Sequence, residues 1–146
     1  MEMNESMGMY TELVFGARLK EDTPKHIIEM LKVIFQQQER LSRKYEDQEN
    51  NFPNIGKIPF GGSYYFAVQH SLSRLSYDNI SKDWTVCIRC NIKNYNNEIQ
   101  NFIEWITPYI AEGSGQNGDF LGYTLYEEDM EPHLLWLSKE VEWNGV

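Results

Sequence analysis

Four groups of residues in this sequence have types and spacings that could do chemistry. Cys87-Ile88-Arg89-Cys90 carries the C-x-x-C spacing of redox dithiols and of half a zinc site. A redox pair places its first cysteine at a helix N-terminus, where the dipole lowers the thiol pKa. Here the motif lies in an alternating run, with Trp84, Val86, Ile88, Cys90 and Ile92 opposite Thr85, Cys87, Arg89, Asn91 and Lys93. That pattern predicts a strand, in which residues three apart point to opposite faces. The two thiols therefore diverge. Zinc would need two further ligands brought by His70 or His133 from other strands. The reading is one core cysteine and one facing away, with Cys87 the only nucleophile candidate. His26, His70 and His133 form no H-x-x-x-H pair.

Gly113-Ser114-Gly115-Gln116-Asn117-Gly118 matches G-x-G-x-x-G. The dinucleotide fingerprint needs a strand before the glycines and a helix after them. In this chain the order is reversed, so a phosphate would meet the carbonyl end of a helix dipole, and Asp119 adds negative charge. The glycines read as a loop. Glu127-Glu128-Asp129-Met130-Glu131 places four acids in five residues. Paired carboxylates serve metals and glycosidases only on rigid elements around a cleft, and the D-x-D-x-D-G calcium spacing is missing. The cluster reads as a hairpin loop whose uses are solubility or a basic partner. Tyr64, Tyr65, Phe66, Trp84, Tyr123, Tyr126, Trp136 and Trp143 fall on expected strands. RNA-binding sheets stack bases on such aromatics but also carry a basic, glycine-rich strand. Core packing or a protein interface fits better. No catalytic residue, metal site or cofactor is expected from these motifs.

Charge points the same way. The chain has 146 residues and a net charge of −9, from 13 basic and 22 acidic residues. From Glu112 onward eight acids stand against Lys139 alone, which is −7 and leaves −2 for residues 1–111. Such a field repels phosphate backbones and disfavours nucleic-acid binding. Apolar content of 41% is too high for disorder, and no apolar run is long enough to span a membrane. Two cysteines close together make no disulfide framework. The polar, acidic N-terminus has no secretory signature, so a cytoplasmic location is expected.

The elements that would position these residues follow from periodicity. Residues 1–8 read as a flexible leader, and 9–146 as a single domain. Tyr10–Lys20 alternates, placing Thr11, Leu13, Phe15, Ala17 and Leu19 on one face. Thr23 and Pro24 supply an N-cap and a first helical residue, followed by the stripe Ile27, Ile28, Leu31, Ile34 and Phe35. Residues 36–51 are polar and extend the helix before it frays. Phe52–Gly62 is a long loop with apolar residues between breakers, either packed or acting as a lid. Ser63–His70 reads as a second strand, Ser71–Asp83 as a polar stretch, and Trp84–Lys93 as a third strand. Asn94 or Asn96 caps a second helix with the stripe Ile99, Phe102, Ile103, Ile106 and Ile110, which Pro108 ends near Thr107. Phe120–Tyr126 and His133–Glu142 form a closing hairpin. The expected class is α+β, a ferredoxin-like split βαβ (β-α-β-β-α-β) with an added C-terminal strand, two helices covering one face of an antiparallel sheet.

Met9-Tyr10-Thr11-Glu12-Leu13, Lys93-Asn94-Tyr95-Asn96-Asn97-Glu98-Ile99 and Gly122-Tyr123-x-x-Tyr126-Glu127-Glu128 resemble segments of small bacterial and phage proteins without assigned activity. The resemblance implies a bacterial or phage cytoplasmic protein and carries no residue roles. The expected function is a non-enzymatic, acidic protein-interaction module, such as a phage- or mobile-element-type inhibitor of a basic partner. Its contact residues would be Glu127, Glu128, Asp129, Glu131, Tyr123 and Trp136. A small-ligand or enzyme site between the sheet and the 52–62 loop is the first alternative. A dimer formed through a sheet edge is the second.

Overall fold

Alternation in the N-terminal segment becomes the middle of a sheet. The computed structural model describes residues 9–63, 66, 70–113 and 118–137, and the backbone of 143–144. Strand β1 (Thr11–Arg18) buries Thr11, Leu13 and Phe15 on one face, and Leu19 just beyond it is also buried. It is followed by helix α1 (Lys25–Ile34), a 3-10 segment (Arg43–Asn51), β2 (Arg74–Asp78) and β3 (Asp83–Ile92). Helix α2 (Glu98–Ile106) runs into a 3-10 turn (Thr107–Tyr109), and β4 (Asp119–Tyr126), β5 (His133–Leu137) and β6 (Trp143–Asn144) complete the order. The sheet order is β2-β3-β1-β4-β5-β6, with every neighbouring pair antiparallel. The chain is thus α+β with an antiparallel sheet. Among the described residues no helix is long and apolar enough to cross a membrane.

The helices form where the apolar stripes lie. Helix α1 buries Ile27, Met30 and Leu31, and α2 buries Ile99, Phe102, Ile103 and Ile106. Both stripes join one core with Leu13, Phe15, Val86, Ile88, Cys90 and Ile92. Phe15 and Phe102 meet edge to face at 5.5 Å, the favoured geometry for an aromatic pair. Segment 52–62 belongs to the same layer. Ile55 and Ile58 are buried, Phe60 packs edge to face on Phe35, and Asn101 donates to the Asn54 carbonyl. The amide of Asn91 donates to the Gly61 carbonyl, so the segment also extends the sheet edge past the end of β2. It is packed, not hinged over an open site.

Several local expectations are corrected. Thr23 does not cap α1. Its hydroxyl donates to the Lys20 carbonyl at 2.6 Å, and Pro24 itself occupies the N-cap. The first helix stops at Ile34 because Gln36 turns left-handed (φ 62), and the polar residues beyond form a separate 3-10 segment. The second strand of the sheet is Arg74–Asp78, inside the stretch read as a polar connection. It buries only Leu75, as an edge strand does, so its polar composition hid it. Of the strand expected at Ser63–His70, residues 64, 65 and 67–69 lie outside the described residues, and Ser63, Phe66 and His70 are not in a strand. The leader 1–8, the glycine-loop residues 114–117 and residues 138–142 of the expected fifth strand also lie outside them. β6 was not anticipated. Asn94 caps α2 from a distance, its side-chain oxygen accepting from the Ile99 amide at 2.9 Å, while Asn97 takes the left-handed turn (φ 58).

Candidate functional site

The second sheet face carries the polar residues. Register places Glu12 between Asn91 and Leu125, and Val14 between Arg89 and Tyr123. Glu12 is 5% exposed and Asn91 2%, whereas Val14 and Arg89 beside them are half-buried and Cys87 is exposed. A buried carboxylate needs compensation. Arg89 Nε lies 3.4 Å from Glu12 Oε2, near enough to offset its charge but not aligned as a hydrogen bond. The Tyr123 hydroxyl donates to Glu12 Oε1 over 3.4 Å. Burial first, and the Glu12 charge next, push the Tyr123 phenol above its ordinary range, which keeps its proton available for that bond. Among the described residues Asn91 Oδ1 is buried with no hydrogen-bond partner.

At the β5 end the same face opens. Phe120, Leu134 and Trp136 are 53%, 49% and 38% exposed, and the Phe120 and Trp136 rings lie 5.3 Å apart. Tyr123 pairs with Leu134, and Phe120 with Trp136. Strict alternation would have put Leu121, not Phe120, beside Tyr123. An irregularity between Phe120 and Gly122 shifts the register and turns Phe120 outward. Gly122 permits this with φ 143, in a position where a Cβ would lie 1.9 Å from the Val14 carbonyl oxygen. A glycine inside a strand was the available sequence signal for that bulge.

The acidic loop joins the two strands at the tip. Glu127 is tied to the body of the protein: its carboxylate accepts from the Tyr10 amide, and its own amide donates to the Tyr10 carbonyl at 2.9 Å. Glu128, Asp129 and Glu131 are exposed, with the Asp129 amide closing the turn onto the Tyr126 carbonyl at 2.9 Å. His133 Nε2 stands 3.9 Å from Asp129 Oδ2, a pair that gains strength only when the imidazole is protonated. Of the six residues expected to form the contact surface, three acids project from the tip and Trp136 lies further along the strand. Glu127 is structural, and Tyr123 is the link to the buried Glu12. Exposed Phe120 and Leu134, which were not among the six, lie on the same strand pair as Trp136.

The other motifs resolve in place. Cys87 is exposed on the second face, and Cys90 is buried on the core face, where desolvation and then the Glu12 charge push its thiol up to about 12. Asp119 Oδ2 accepts from the Gly113 amide at 2.6 Å, so a carboxylate already occupies a donor that a phosphate would use. Among the described residues no group of three His, Cys, Asp or Glu converges as a metal site. Beside segment 52–62 a cleft of about 390 Å³ is lined by Tyr10, Lys57, Gly61, Asn91, Lys93 and Glu98. Comparison with protein-family models, with curated proteins and with solved structures finds no match.

Proposed function

We propose that this chain is a non-enzymatic interaction module that binds a protein partner through the face and acidic tip of the β4–β5 hairpin. The observation that carries the reading is the strip in which exposed Phe120, Leu134 and Trp136 run toward Glu128, Asp129 and Glu131. Single exposed apolar residues are ordinary, whereas several side by side on one strand pair suit an interface. Aromatic anchors supply contact energy, and rim acids steer and select a basic partner. The partner chemistry is therefore a basic rim around an apolar pocket. The resemblance to phage proteins fits an inhibitor occupying a basic, nucleic-acid-binding surface. We read the frame beneath it as a ferredoxin-like split βαβ carrying β5 and β6 as an addition. Support comes from β1 lying between β3 and β4 and from both helices sharing one core.

Affinity capture with the wild type, Trp136→Ala and a Glu128→Gln/Asp129→Asn/Glu131→Gln triple variant tests this. A genuine partner should lose about tenfold in affinity to the triple variant, through slower, less salt-sensitive association. Trp136→Ala should act on the dissociation rate. Equal capture by all three proteins would sink the reading. A small-ligand site in the cleft beside segment 52–62 is a second reading, favoured by the buried Asn91 Oδ1, unpaired among the described residues. Dimerisation through the β2 edge has less support, because Gln37 Nε2 already donates to the Leu75 carbonyl there at 2.7 Å.

A further inference from the structure

A second region of the molecule has the opposite charge. The β1–α1 turn, the outer side of α1, the 3-10 segment and the β2–β3 hairpin enclose a cleft of about 580 Å³. That volume is in the range of sites for nucleotide-sized ligands. Lys20, Lys25, Lys32, Lys44 and Lys82 line it, against Glu21, Glu29 and Asp83. In a chain of net charge −9, five cations against three anions is a local inversion.

Two of the three carboxylates are already engaged. Asp83 Oδ2 accepts from Arg18 Nη1 at 2.8 Å and Asp83 Oδ1 from the Ser81 hydroxyl at 2.6 Å. Glu29 accepts from the Ser42 amide, the Ser42 hydroxyl and Gln38, each at 2.9 Å. Among the described residues none of the five lysines has a carboxylate at ion-pairing distance. Glu29 keeps its charge and acts electrostatically on Lys32, yet the lysines still outnumber the carboxylates, and an excess of ammonium groups around a concave surface focuses a positive potential that draws in an anion. Lysine binds phosphate as a mobile point charge, without the planar match that arginine needs.

The walls are aromatic. Lys32 Nζ sits 5.3 Å from the centre of the Trp84 ring, and Lys44 Nζ 5.4 Å from that of Tyr45. Tyr77, 43% exposed, lies against Trp84 with centroids 5.2 Å apart. Cations held over ring faces beside an exposed ring suit a ligand with a planar base at one end and phosphates at the other. We propose that this cleft binds a nucleoside phosphate, with the phosphates among the lysines and the base against Tyr77 and Trp84. A polynucleotide fits less well. A ligand that ends inside the cleft lies within a Debye length, about 8 Å, of the lysines, whereas a longer strand leaves them while still facing a chain of net charge −9.

Calorimetric titration with ADP, pyrophosphate and a single-stranded oligothymidylate tests the proposal on the full chain. The variants are Lys32→Gln/Lys82→Gln, Tyr77→Ala and, as a control at the cleft beside segment 52–62, Lys57→Gln. ADP should bind about tenfold more tightly than pyrophosphate, the share of one stacked base. The double lysine variant should weaken both ligands about tenfold or more. Tyr77→Ala should weaken ADP alone, and Lys57→Gln neither. These side chains are exposed or half-buried, and unchanged melting temperatures without ligand would confirm that the variants fold. ADP should raise the wild-type melting temperature. Failure of ADP and pyrophosphate to saturate, equal binding by the double lysine variant, or tighter binding of the oligothymidylate than of ADP would each overturn the proposal.

Discussion

Cys87 and Cys90 differ in environment although only two residues separate them. Cys87 is exposed, while the Cys90 thiol is buried and raised to about 12. Iodoacetamide near neutral pH should therefore modify the native protein once, at Cys87, and a second time only in urea. Two adducts under native conditions would contradict the placement of Cys90. Asp83 gives a pH dependence. The Ser81 hydroxyl, then the Arg18 guanidinium, hold its carboxyl below the ordinary aspartate range. A depressed folded-state pKa contributes stability above the unfolded value, and that contribution disappears as pH falls through the folded one. Asp83→Asn should thus be less stable than the wild type at neutral pH. The gap should close as pH falls below about 4, the ordinary aspartate value, in thermal melts of the two proteins. The divergence of the cysteines was legible in the sequence, because a period of two decides it. The Asp83–Arg18 pair was not, since only the antiparallel pairing of β1 with β3 brings residues 65 apart in sequence together.

At the scale of the element, the β4–β5 hairpin depends on Gly122. Its φ of 143 and the approach of the Val14 carbonyl leave no room for a side chain. Gly122→Ala should cost more than about 2 kcal/mol, measured by urea unfolding, because both the backbone conformation and the β1–β4 pairing resist it. A near-neutral result would mean that the bulge can relax. Such a variant should also turn Phe120 away from Trp136, which links the element to the proposed contact strip. Strands β1 and β3 and both helices were readable from apolar spacing, since each buries a regular stripe, and β4 from its apolar, aromatic content despite the bulge. β2 was not, because an edge strand with one buried residue, Leu75, looks like a loop. The Phe120–Trp136 pair was hidden for a related reason: one extra residue at the bulge reverses which side chains face outward.

Across the whole molecule, charge is sorted by location. Glu128, Asp129 and Glu131 reach solvent at the tip of the β4–β5 hairpin, while five lysines against three carboxylates gather between α1 and the β2–β3 hairpin. Net charge read from composition revealed the first and masked the second, because the five lysines are spread from residue 20 to residue 82. Only the fold assembles them. The central place of β1 has a further consequence for how the chain comes into being on a ribosome. The first strand of this sheet to be made is flanked by β3 and β4, so one of its partners is delivered only when residues 119–126 have left the exit tunnel. Until then the backbone groups along its β4 side, from Thr11 to Phe15, wait without a neighbour. Loop closure over such separations is slow, and an unpaired strand of this kind recruits other chains. Newly made protein therefore passes through a vulnerable interval whose length is set by elongation past residue 126, and chaperone demand should concentrate in that interval.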